Sequence, residues 1–167
     1  MTFIPKKHIP SIFIAFVFIQ SLFFKFTGSY ETNHIFGTLG EWSGIHWFGV
    51  YGGYLIGIAE LIAAILLFTR FHGVGSTMVV GIMTGAILFH LFTPLGVVMP
   101  EFSATGEVIG NDGGLLFGMA CLVWLSAIFL TIRDIRAQGS FYKHLANERS
   151  LIWLKVLSGY QEKRHLE

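Results

Sequence analysis

The chain is short of charge and almost without cysteine. Of its 167 residues only 13% are Asp, Glu, Lys or Arg, about half of the roughly 25% usual in soluble domains. So little charge cannot cover a water-facing surface. The single cysteine, Cys121, lies inside an apolar run. That excludes an intramolecular disulfide, and no CxxC or CxxCH motif exists for thiol exchange or haem attachment. Lysine and arginine are absent from two whole stretches, residues 29–46 and 95–112. A net charge of +1 gives no basic footprint for a nucleic-acid partner.

What the chain has instead is apolar length. Its hydrophobic fraction is 53% and its mean hydropathy +0.65, with seventeen Phe and twenty Gly. A helix needs about 20 predominantly apolar residues to cross the hydrocarbon core. Four segments qualify: 9–27, 47–69, 74–93, which Pro94 ends, and 113–132. Lys6 and Lys7 precede the first, but no A-x-A-like site follows it, so it is read as a span and not as a cleaved signal.

Charge between the spans sets an expected orientation. Lys6 and Lys7 lie before the first span, Arg70 and His72 between the second and third, and seven Lys/Arg after the fourth, beginning with Arg133 and Arg136. The two stretches without Lys or Arg carry Glu31, Glu41, Glu101, Glu107 and Asp112. By the positive-inside rule both termini and the short loop face the cytoplasm and the two longer loops face outward. The expected fold is all-α: an integral membrane four-helix bundle over residues 1–137, N-in and C-in, with a cytoplasmic tail at 138–167. In that tail Leu145, Ile152, Trp153 and Leu154 are interspersed with Lys143, Arg149 and Lys155. The pattern suits an amphipathic interfacial helix or a partly ordered soluble tail.

Three spans carry small residues four apart: Gly53/Gly57, Gly81/Gly85 and Gly114/Gly118. Such GxxxG strips let helix backbones approach closely, which predicts a compact bundle with little central volume and offers faces for a homo-oligomer. Glu60, in GYLIGIAELIAAILL, breaks an otherwise uncharged run. A lone carboxylate at membrane depth costs several kcal/mol unless paired or protonated. Gly53, Gly57, Ala63 and Ala64 share its helical face, so Glu60 is expected to look into the bundle.

Two further ionisable groups lie inside spans: Lys25, in SLFFKFTGS, and His90, in GAILFHLFTPLG. At about 1.5 Å of rise per residue, Glu60 comes out roughly 12–18 Å below its outer helix end and Lys25 and His90 roughly 3–5 Å below theirs. Contact therefore requires a favourable stagger or a bridging water. His90 shares its face with Met83 and Ala86, nearly opposite Gly81, so it is expected to point to a different neighbour than the glycine strip does. Two readings stand. One is structural: a buried Lys–Glu pair fixing helix register, with His90 a packing residue and Lys25 snorkelling outward. The other is a polar pocket opening outward that binds an anion, a quinone head group or protons, with Lys25 and His90 donating hydrogen bonds and Glu60 relaying a proton.

The stretches FFKFTG, FGTLG (residues 36–40), GYLIGIAELIAAILLFTRFHGVGS and MTGAILFHLFTPLG resemble the DoxX family of small bacterial membrane proteins. The likeness runs from about residue 22 to residue 130. It implies a four-helix inner-membrane fold in which Lys25, Glu60 and His90 are the family's polar positions. Catalytic roles then fall to Glu60 and His90, and ligand binding to all three. It also implies a redox association, since relatives include the small subunit of thiosulfate:quinone oxidoreductase. The chain departs from the family at TIRDIRAQGSF, where relatives carry glycine-rich and Ser-Leu-Asp-like residues, and in its long tail. On this basis the expected function is a quinone- or sulfur-linked membrane subunit working with a redox partner. The expected cofactor is bound quinone. Haem is not expected, because a haem b site wants two intramembrane histidines and only His90 qualifies, with His46 at the boundary. Metal is not expected, because His34 and His46 form a sparse, loop-borne pair without ligand spacing. The alternatives are a non-enzymatic anchor or assembly partner, and solute or proton transport by an oligomer.

Overall fold

The computed structural model describes residues 8–137; the interfacial helix considered for the tail lies outside them. Five helices and one hairpin follow in order: α1 (Ile9–Thr27), α2 (Tyr30–Ser43), α3 (His46–Leu66), α4 (His72–Phe92), β1 (Pro100–Phe102), β2 (Val108–Asn111) and α5 (Leu115–Arg136). Among the described residues, α1, α3, α4 and α5 are long and apolar enough to cross a membrane. They agree with the expected spans to within a few residues. Between 17% and 33% of the most apolar window in each is buried. The outward faces, with Phe16, Phe23, Ile65, Leu122 and Phe129 exposed, therefore call for an apolar surrounding that a bilayer supplies.

The helices close a ring: α1 packs on α3 and α5, and α4 packs on the same two. The half of the bundle away from α2 is filled. Ile14 and Phe18 from α1, Ala63 and Leu67 near the end of α3, and Val79 from α4 meet Ala127 and Leu130 of α5, all at most 1% exposed.

The stretch 29–46, expected as a loop, contains α2. Gly28 (φ 64°) stops α1 in the left-handed conformation, and Ser29 restarts the chain by accepting from the Thr32 N–H at 3.2 Å. Polar outer residues hid an amphipathic face: Thr32, Phe36, Leu39 and Gly40 are buried at helical spacing. The second long loop likewise holds a short antiparallel hairpin, turned at Gly106 (φ 85°).

α1 and α2 run in succession along α3 in the same sense. A Cβ on Gly40 would lie 2.7 Å from the Gly49 Cα; one on Gly52 would meet the Phe36 ring, and one on Gly57 the Phe26 ring and Leu22. The upper part of α3 thus packs on α2 and the lower part on α1. Gly81, by contrast, has nothing within 4 Å of a Cβ position.

Gly40→Ala should therefore lower stability by about 1–3 kcal/mol, the usual cost of overpacking, because the obstacle is backbone. Gly81→Ala should cause no loss. Thermal melts of the two variants in one detergent check the contrast.

Candidate functional site

The break after Gly28 decides what faces Glu60. With α2 occupying the upper part of α3, the carboxylate comes level with the last turns of α1. Lys25 Nζ lies 3.0 Å from Glu60 Oε1 and 2.9 Å from Oε2. Ser21, one turn before Lys25, donates to Oε2 at 3.2 Å and accepts a further hydrogen bond from Lys25. Glu60 is 3% exposed. The contact that depth counting left open is direct, and α2 supplies the stagger. Such a pair offsets its desolvation only through close geometry and filled hydrogen bonds, and both conditions are met.

His90, in the last turn of α4, is 7% exposed. Pro94 ends the helix region and Gly96 (φ 73°) turns the chain back. The Gly96 carbonyl thereby meets His90 Nδ1 at 2.6 Å. A carbonyl only accepts, so Nδ1 carries the proton. The Phe117 ring lies edge-on to the imidazole at 5.8 Å.

Lys25, Glu60 and His90 line one cavity of about 470 Å³ together with Ser21, Phe36, Leu39, Met83 and Phe89. That volume lies in the roughly 300–1,000 Å³ range of small-molecule sites. Two expectations are corrected here. The bundle is not closed at its centre: Gly81 and Gly85 line the cavity with nothing within 4 Å of either Cβ position, so these glycines create space in place of a helix contact. His90 also does not point away from the glycine strip, since both border the same cavity. Gly118 likewise packs against nothing within 4 Å, and of the three strips only Gly53/Gly57 makes close helix contacts at both positions.

A second polar cluster closes the opposite end. Ser11 Oγ lies 3.0 Å from His72 Nε2, His72 Nδ1 contacts Asp134, and Arg133 Nη2 donates to Asp134 at 3.1 Å. The order Ser–His–Asp matches an acyl-transfer triad, but Ser11 is 0% exposed and no substrate carbonyl reaches it. The cluster ties the first turns of α1 and α4 to the last turn of α5. Sequence reading missed it because the fourth span was ended at residue 132 and His72 was placed in a loop. The helical continuation through residue 136 brings Asp134 inward.

Asp112 organises the junction of hairpin and α5. Its carboxylate accepts from the N–H groups of Met99 (2.7 Å), Gly114 (2.9 Å) and Leu116 (3.0 Å). Burial pushes this carboxyl up, but the N–H groups of Leu116, Met99 and Gly114 outweigh burial and hold it below the ordinary 3.8. Among the described residues no three His, Cys, Asp or Glu side chains gather into a metal-ligand set.

Two outcomes follow from this geometry. Lys25→Met should cost about 3–5 kcal/mol by stranding a buried carboxylate, and adding Glu60→Gln should recover most of the loss; denaturation of the single and double variants measures this. Asp112 has a folded value below its unfolded one. Its stabilisation is therefore complete above about pH 4 and is lost as pH falls through the folded value. As pH falls below about 4, wild type should lose melting temperature more steeply than Asp112→Asn, and the two should converge at the acid end.

Comparison of the chain with protein-family models, with curated proteins and with solved structures finds no match.

Proposed function

We propose that the chain is a DoxX-like subunit of the bacterial inner membrane that holds a quinone-class head group in the cavity between α1, α3, α4 and α5. The observation that carries this reading is the cavity's composition. Its wall is apolar apart from four side chains, Ser21, Lys25, Glu60 and His90, which is the pattern of a site for a neutral amphipathic molecule. The Lys25 charge is already matched by Glu60 at 2.9 Å. A thiosulfate-like anion would be buried beside that pair without a counter-charge of its own, which is costly. A neutral ring with polar oxygens carries no such penalty. This favours the quinone over the sulfur oxyanion among the ligands considered from sequence.

In the N-in, C-in orientation that the positive-inside rule favours, the cavity belongs to the outer half of the membrane, the α2 and hairpin end. A single cysteine provides neither a dithiol nor a cluster, so electrons are exchanged with a separate redox partner subunit. The direct α1–α3 ion pair also favours a second reading, in which Lys25–Glu60 fixes helix register in a membrane anchor.

Purification in mild detergent and solvent extraction separate the two. Wild type should yield a bound quinone by ultraviolet absorption, and added ubiquinone-1 should raise its melting temperature by about 3 °C or more. Gly85→Leu, which grows into the cavity from a position whose Cβ would meet nothing within 4 Å, should lose both while melting near the apo wild-type temperature. No extractable quinone and no response to ubiquinone-1 in wild type would leave the anchor reading.

A further inference from the structure

The polar groups of the cavity are specific about hydrogen-bond direction. A lysine ammonium has three N–H donors, and Lys25 directs hydrogen bonds to three acceptors: Ser21 Oγ, Glu60 Oε1 and Glu60 Oε2. The Ser21 hydroxyl spends its proton on Glu60 Oε2. No donor is left on that side. What remains is acceptor capacity, a second lone pair on Glu60 Oε1 and one on Ser21 Oγ.

The α4 side reaches the same state independently. His90 Nδ1–H is committed to the Gly96 carbonyl, so a neutral imidazole presents Nε2 as a lone pair. Among the described residues nothing hydrogen-bonds this nitrogen, and no fully buried side-chain N or O atom lacks a partner. Nε2 therefore retains accessible surface on a residue that is 7% exposed and lines the cavity. No other side chain on the lining carries N–H or O–H.

We infer that the cavity selects a neutral ligand bearing hydroxyl donors, the reduced hydroquinone, over the oxidised quinone. This deepens the proposed function and rests on it. A quinone's carbonyl oxygens only accept, so binding it requires Lys25 or Ser21 to give up a bond to Glu60. A hydroquinone's two O–H groups meet Glu60 Oε1 and His90 Nε2 with the network intact. His90 is then a hydrogen-bond acceptor, opposite to the donor role expected from sequence. Tighter binding of the reduced form also raises the midpoint potential of the bound couple. A tenfold preference corresponds to about 30 mV for two electrons.

The test is anaerobic calorimetry of the full chain in detergent with menadione and with its dithionite-reduced dihydroxy form, run on wild type and His90→Phe. The reduced form should bind wild type about tenfold tighter, the size of one or more donor–acceptor bonds. In His90→Phe that preference, read as the ratio of the two affinities within the variant, should fall several-fold. Equal affinities in wild type, or tighter binding of menadione, would overturn the directional inference and leave the quinone site standing. Failure of both forms to bind wild type would remove the quinone reading and this inference with it. The wild-type comparison does not depend on the variant folding.

Discussion

A carboxylate in the middle of a spanning helix has to meet a cation at its own depth, and the architecture of this protein arranges that meeting. Glu60 lies fourteen residues into α3 and Lys25 only two residues from the end of α1, so two helices starting level would keep them apart. Gly28 and Ser29 resolve the mismatch. They break the chain into α1 and α2, which run one after the other along α3. The upper third of α3 is thereby given to Thr32, Phe36 and Gly40, and Glu60 is brought down to Ser21 and Lys25. α2 is consequently part of the site's construction although only Phe36, Leu39 and their neighbour Ile35 reach the cavity.

Glycine does opposite work at the two sides of the bundle. Gly40, Gly52 and Gly75 are required by proximity: a Cβ at Gly75 would lie 2.9 Å from the Leu67 amide nitrogen. A Cβ on Gly81 or Gly85 would meet nothing within 4 Å. Close packing at native density leaves few voids larger than a water molecule, and 470 Å³ is far beyond that. The hollow persists because the filled half, from Ile14 to Leu130, and the terminal cluster of Ser11, His72 and Asp134 fix the helices below it. Above it, Asp112 pins the hairpin to the start of α5 and the Gly96 turn holds His90.

The spans were legible because twenty apolar residues in a row admit few other readings. Glu60, Lys25 and His90 were legible as candidates because charge and imidazole stand out against such runs. Their arrangement was harder to read. A GxxxG spacing reports only small size, which serves a helix contact at Gly53/Gly57 and an opening at Gly81/Gly85 equally well. α2 was concealed by Glu31, Asn33, His34 and Glu41, polar residues on the exposed side of a helix whose buried face repeats at Thr32, Phe36 and Leu39/Gly40. Asp134 was lost to a boundary placed a few residues early, and with it the cluster that closes the far end.

The two polar clusters show what separates a clamp from a site. Ser11, His72, Asp134 and Arg133 are bonded to one another beside a filled core, and Ser11 has no exposed surface. Nothing can enter, so the chemistry of a serine beside a histidine goes unused. Lys25, Ser21 and Glu60 are just as closely bonded, yet they and His90 border empty volume. Residue type does not distinguish the clusters, since each contains a histidine, a serine, a carboxylate and a cation. The difference lies in unspent hydrogen-bond capacity facing a space large enough for a ligand. In this protein that capacity is all of one kind: every donor at the cavity wall is already committed, and what faces the space are lone pairs.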